Sequence, residues 1–183
     1  MRFELRQLIL ASLFAALTAV CARISINTPF AAAAITLQTF AVFISAVTLG
    51  SKYGALSQIV YILIGAVGMP VFSNGGSGLG WILGPTGGFL ISFPVIAFLI
   101  GFVIERKKQV SRTDIIGLLV IGMIICYIFG ATQFALIKGY DYVKAINAVV
   151  IPFIPFDIIK LIAAAILGYQ VRMALIKANL LKA

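Results

Sequence analysis

The chain has 183 residues, of which 62% are hydrophobic and only 10% charged, with a mean hydropathy of +1.15. Soluble domains carry about 25% charged residues, so this composition excludes a water-soluble globular protein and leaves a single integral membrane domain over 1–183. The net charge of +9 would point to nucleic acid in a soluble chain. In a membrane protein it reflects Lys and Arg gathered in cytoplasmic loops, and no basic-aromatic stripe argues for nucleic acid here.

A membrane-crossing helix needs about 20 mostly apolar residues. The first such stretch, "MRFELRQLILASLFAALTAVCAR", has the charged start, apolar middle and small-residue end of a secretory signal. It even approaches a lipoprotein cleavage box at "TAVC", but Thr18 and Val20 fit that box poorly and further apolar spans follow. It therefore reads as a retained first helix over 7–26. Within it Ala11, Ala15 and Ala19 recur every four residues, a spacing that lets another helix approach closely. The spacing serves internal packing and a partner protein equally well.

Apolar spans over 35–50 and 53–70 follow, with "LGSKYG" as the one break between them. A long glycine-rich connection comes next, "GMPVFSNGGSGLGWILGPTGG". It is not a phosphate-binding Walker loop, because that needs Gly-Lys-Ser/Thr and no lysine occurs between Lys52 and Lys107. Its "GGSG" imitates an intramembrane serine protease, but such a serine needs a general base, normally His, and the chain has none. What remains is a compact loop in which glycines allow tight turns and close backbone approach to a ligand. Asn74 brings an amide that both donates and accepts. Phe72 and Trp81 are candidate apolar walls, interfacial anchoring being the plainer role for the tryptophan.

Three more spans complete an all-α, polytopic fold of six transmembrane helices, over 87–104, 114–137 and 154–176. Cys21 and Cys126 lie in or beside apolar stretches, with no CxxC and no metal spacing. No metal or cofactor is expected. Alternating six spans puts ten basic residues on one face (Arg2, Arg6, Lys52, Arg106, Lys107, Lys108, Arg112, Arg172, Lys177 and Lys182) and three on the other (Arg23, Lys138 and Lys144). Both termini are thereby assigned to the cytoplasm. The same alternation sends three Pro- or Gly-bearing stretches to the outer face: "NTPFAAAAITLQT", the glycine loop, and "IPFIPFDIIK". Irregular backbone at membrane depth survives where protein buries it or where it lines a cavity, so their convergence is a site expectation.

The last stretch carries the chemistry. Pro155 suits a first helical turn, where Asp157 is favoured by the positive end of the helix dipole, and Lys160 follows at i+3 on the same face. A capping carboxylate with a snorkelling lysine is the plain alternative. Charges within a membrane span mark function by default.

These residues resemble the BioY family, the biotin-specific substrate-capture subunits of energy-coupling-factor (ECF) transporters. The resemblance runs from "ITLQT" through "GPTGG" to "FLISFPVIAFLIG", and "FIPFDIIK" is similar to that family's final-helix motif. Ala34 stands where a proline often precedes "ITLQT", Phe89 replaces a frequent tyrosine, and Phe156 a frequent glycine. The resemblance implies a multi-pass subunit of a prokaryotic cell membrane that takes biotin from outside and hydrolyses no ATP itself. It also implies partners: a transmembrane coupling protein meeting the Ala11, Ala15, Ala19 face, and two separate ATPase subunits.

Biotin's ureido ring offers two N–H donors and one carbonyl acceptor. Asp157 can accept, Asn74 can do either, and Lys160 can donate to the ureido oxygen or to the valerate carboxylate; both remain open. Gln38 of "ITLQT", Phe72 and Trp81 complete the expected site, the aromatics against the ligand's apolar part. A different vitamin is the nearest alternative. A membrane enzyme or a stand-alone channel is the distant one, disfavoured by the lack of His and by only five carboxylates.

Overall fold

The computed structural model describes residues 5–107, 109–178 and 180. Arg2, Lys108 and Lys182 of the basic tally lie outside the described residues. Helix α1 (Leu5–Arg23) buries Ala11, Phe14, Ala15, Thr18 and Ala22 and turns Leu13 and Val20 outward. The buried stripe packs on the next helix, and Thr18 Oγ1 accepts a hydrogen bond from Gln58 Nε2 there. Ala11 and Ala15 are each 2% exposed within the chain's own packing, so their small size serves internal packing; Ala19 keeps partial exposure.

A two-stranded antiparallel ribbon, β1 (Ser25–Ile26) and β2 (Ile35–Thr36), pairs Ser25 with Thr36. Helix α2 (Gln38–Ala66) is two helices that meet at Gly50, which adopts φ 79, ψ −169, a region open essentially to glycine alone. The chain folds back there. Gln38 Nε2 donates to Tyr61 Oη at 2.6 Å and Gln58 Nε2 to Ser45 Oγ at 3.1 Å. A β-carbon on Gly54 would lie 3.3 Å from the Ala46 α-carbon. The spans read at 35–50 and 53–70 are thus two antiparallel arms joined at one residue. The first arm is buried without a break from Ala41 to Ser51, as expected of "AVFISAVTLG", which carries no charge on any face and only Ser45 and Thr48 as polar residues.

Two charged side chains close the reversal. Arg172 Nη1 donates to the Val47 and Thr48 carbonyls at 3.2 and 3.4 Å, at the end of the first arm. Glu105 accepts from the Ser51 backbone N–H at 2.8 Å and its hydroxyl at 2.6 Å, at the start of the second. Each charge sits on the helix end whose dipole favours it. Gly101 has no side chain where its helix meets the Gly50–Ser51 peptide, and a β-carbon there would collide with it.

A 3-10 turn (Ser73–Gly75) and the one-turn α3 (Leu79–Ile82) occupy the glycine loop. Helices α4 (Gly87–Arg106) and α5 (Arg112–Lys138) follow, α5 opening on a capping box between Ser111 and Asp114 and closing on left-handed Gly139. The "GPTGG" motif is a packing device. β-Carbons on Gly87 and Gly88 would strike the Ile82 and Phe129 carbonyls, and Gln133 Nε2 donates to the carbonyls of Ile82 (2.8 Å) and Gly84 (2.7 Å). The short α6 (Tyr142–Val149), absent from the sequence reading, is capped by Asp141 and packs Ala145 and Val149 on Phe134. Helix α7 (Ile154–Lys177) carries Pro155 in its first turn.

Among the described residues, α1, α2, α4, α5 and α7 are each long and apolar enough to cross a membrane. They expose Leu13, Leu63, Ile121 and Ile159 on their outer surfaces, as a lipid-facing belt requires. At one end of the bundle the connections are tied together. Ala32 N–H donates to the Ala148 carbonyl at 3.0 Å, Asn27 bonds Asn74, and Gln133 holds the Ile82–Gly84 segment.

Candidate ligand-binding site

The three irregular stretches meet around one cavity of about 600 Å³, measured out to its open mouth. The 33–36 segment supplies Thr36, the glycine loop Ser73, Trp81 and Thr86, and the start of α7 Asp157 and Lys160. Phe89, Leu90, Phe93 and Phe153 form apolar walls. Apolar walls with a few fixed polar groups are the usual make-up of a small-molecule site.

Asp157 is 3% and Lys160 9% exposed. Lys160 Nζ donates to Asp157 Oδ1 at 2.6 Å, and the Thr39 hydroxyl approaches the same oxygen at 3.4 Å. Tyr127 Oη donates to Oδ2 at 2.7 Å. Three helices therefore hold one carboxylate: α7 carries it, α5 and α2 donate to it. The first turn of α7 adds the positive end of its dipole. Taking two charges out of water is costly unless the geometry is close and further hydrogen bonds support it; here the pair is close and two hydroxyls brace the carboxylate, while Lys160 keeps N–H donors to spare. The deep end of the cavity is thus polar, rigid and electrically neutral.

Gln38 and Trp81 also line the cavity. The Gln38 amide is engaged on both sides, accepting from Thr36 Oγ1 at 2.8 Å and donating to Tyr61 Oη at 2.6 Å. Tyr61 passes the chain on to the Val71 carbonyl at 3.1 Å. Trp81 lies over Gly76, where a β-carbon would run into its ring, and Phe89 is seated over Gly130 in the same way.

Two expected site residues stand elsewhere. Phe72 is fully buried behind the loop, edge-on to Tyr61 at 5.7 Å and pressed on Gly65, so it anchors the loop and does not line this cavity. Asn74, at a left-handed φ of 53, faces the first connection. Its Oδ1 accepts from Ser25 Oγ (2.9 Å) and Asn27 Nδ2 (3.4 Å), while its Nδ2 donates to Asn27 Oδ1 (3.1 Å). The neighbouring Ser73, not Asn74, borders the cavity. Sequence reasoning missed Tyr127 and Thr39, although a hydroxyl in the apolar run "IICYIF" signals a buried partner.

The BioY family model matches residues 1–177. The chain belongs to the BioY family. Among curated relatives, "Biotin transporter BioY" of Thermotoga maritima is 43% identical over 169 residues, covering 92% of this chain and 96% of the relative. "Probable biotin transporter BioY" of Pyrococcus horikoshii is 38% identical, covering 91% and 96%. A solved structure, the S-component for biotin from an ECF-type ABC transporter, superimposes with a TM-score of 0.85 at 25% identity, over 91% of this chain and 90% of that one. Membership in BioY, a family of transporters, together with the apolar helices makes this a multi-pass protein of the prokaryotic cell membrane.

Proposed function

We propose that this BioY chain is the biotin-capturing subunit of an ECF-type uptake transporter. The observation that carries the reading is the neutral Asp157–Lys160 pair at the deep end of an aromatic-walled cavity. A ureido ring is neutral overall but rich in donors and acceptors, so it matches such a pair without burying a net charge. Asp157 has lone pairs left for a ureido N–H, and Lys160 keeps N–H donors for the ureido oxygen beyond the one given to Asp157. The thiophane ring and valerate chain lie against Trp81, Phe89 and Phe153. Asn74 joins the site by exchanging Asn27 for the second ureido N–H.

The fold-back at Gly50 favours six crossings rather than five, with the first arm short and buried from Ala41 onward. The end bearing Lys52, Arg106, Lys107, Arg112 and Arg172 then lies in the cytoplasm and the cavity mouth outside. A separate coupling protein and two ATPase subunits supply the energy.

Isothermal titration of the purified chain with biotin and a panel of other water-soluble vitamins tests the reading. Saturable binding of biotin alone is the expected result. Binding of another vitamin in its place, or of none, overturns it.

A further inference from the structure

The carboxylate of the ligand is left without a partner by the deep end of the cavity. Lys160 is already neutralised by Asp157 at 2.6 Å, and a second carboxylate brought beside them would bury an uncompensated negative charge in apolar surroundings. The ligand must therefore enter ureido-first, with its carboxylate at the mouth.

Arg23, not itself a lining residue, is tied to two segments that border the cavity. Arg23 ends α1, next to β1, whose Ser25 pairs with cavity-lining Thr36. Its Nη1 lies against Gly75, two residues from cavity-lining Ser73, so the guanidinium is bracketed by two segments that border the cavity. Gly75 takes a left-handed φ of 78 and carries no β-carbon, which would collide with Nη1. The guanidinium has five N–H donors, and its hydrogen bond to the Pro70 carbonyl is long, at 3.5 Å. The two ion pairs among the described residues are Lys107–Asp114 and Lys160–Asp157, so Arg23 is paired with no carboxylate among those residues. Of the other basic residues assigned to this end, Lys144 lies over the Tyr140 ring at 4.2 Å; like Arg23, neither it nor Lys138 is a lining residue.

We infer that Arg23 receives the ligand's carboxylate at the cavity mouth and so selects free acids over their amides and esters. The inference rests on the biotin reading above. A guanidinium meets a carboxylate with paired, charge-assisted hydrogen bonds, and the exposed position limits the gain to about tenfold in affinity.

The test titrates biotin and biotin methyl ester, which keeps the ring system and loses the charge, into the wild-type chain, R23Q, R23K and K144Q. Wild type and K144Q should both favour the acid about tenfold. R23Q should lose that preference by weakening for biotin alone, its intact ester affinity showing that it is folded; R23K should keep part of it. A loss shared equally by acid and ester would make Arg23 a structural anchor of the loops and overturn the inference. So would an acid preference that survives in R23Q. Wild-type chain that binds neither ligand would instead overturn the biotin reading, and the inference with it.

Discussion

Removing Lys160 separates what the buried pair does for the fold from what it does for the ligand. In K160M the Asp157 carboxylate keeps Tyr127 at 2.7 Å and Thr39 at 3.4 Å but loses its countercharge, 3% exposed. Breaking a buried pair costs about 3–5 kcal/mol because the survivor stays buried and uncompensated. The two remaining donors put K160M near the lower end, about 3 kcal/mol. In D157N/K160M no charge survives, and an amide of nearly the same shape still meets the Tyr127 hydroxyl. Most of the lost stability should return, since exchanging a whole buried pair for neutral groups is close to neutral. Binding should not return, because the Lys160 donor and the charge on the Asp157 acceptor are both gone. Unfolding free energies from detergent titration and biotin isotherms on the same preparations give both readouts. A double variant as unstable as K160M would show that charge is not what the pair contributes. A double variant with wild-type affinity would remove the pair from the binding site.

Tyr127→Phe takes one donor from Asp157 Oδ2 and should weaken biotin binding by about 1.5–3 kcal/mol; an unchanged dissociation constant would deny α5 a part in positioning the carboxylate. Gly130→Ala drives a β-carbon into the Phe89 ring, which must swing toward Phe153 and the cavity. The expected cost is about 1–3 kcal/mol of stability with weaker biotin binding, and a variant unchanged in both would show the wall to be compliant. Orientation is tested after Cys21 and Cys126, both buried, are replaced. A cysteine at Ser77 should react with an impermeant thiol reagent in intact cells, and one at Gln109 only in opened cells; the reverse pattern would put the cavity mouth in the cytoplasm. A probe at Gln109 leaves the Ser111 hydroxyl free to cap α5.

How far the sequence could be read depended on whether a signal was local. Pro155 followed by Asp157 and Lys160 is a helix start complete in itself, and α7 begins at Ile154. The glycine loop likewise advertised close backbone approach, which the Gly87 and Gly88 contacts show. Small-xxx-small spacing is different, because it states that a backbone comes near and not whose backbone. Ala11 and Ala15 are satisfied by α2 of the same chain. The eight-residue α6 was invisible for another reason, being too short for a span and amphipathic in a region read for continuous apolar runs.

The polar site shows the same limit at the level of single atoms. Asn74 and Gln38 announce hydrogen-bonding capacity, but a primary amide is used up by whichever groups the fold brings first. For Asn74 these are Ser25 and Asn27, for Gln38 Thr36 and Tyr61. Asp157 and Lys160 escaped that uncertainty because in a membrane their need is stronger. A lone charge at such a depth is expensive, so two opposite charges one helical turn apart are driven together whatever surrounds them, and they meet at 2.6 Å. Their neutrality then dictates the rest: a ligand that reaches them must present a polar head without net charge and leave its own charge at the mouth. That requirement is what gives Arg23 a task, and it follows from the pair before any ligand is named.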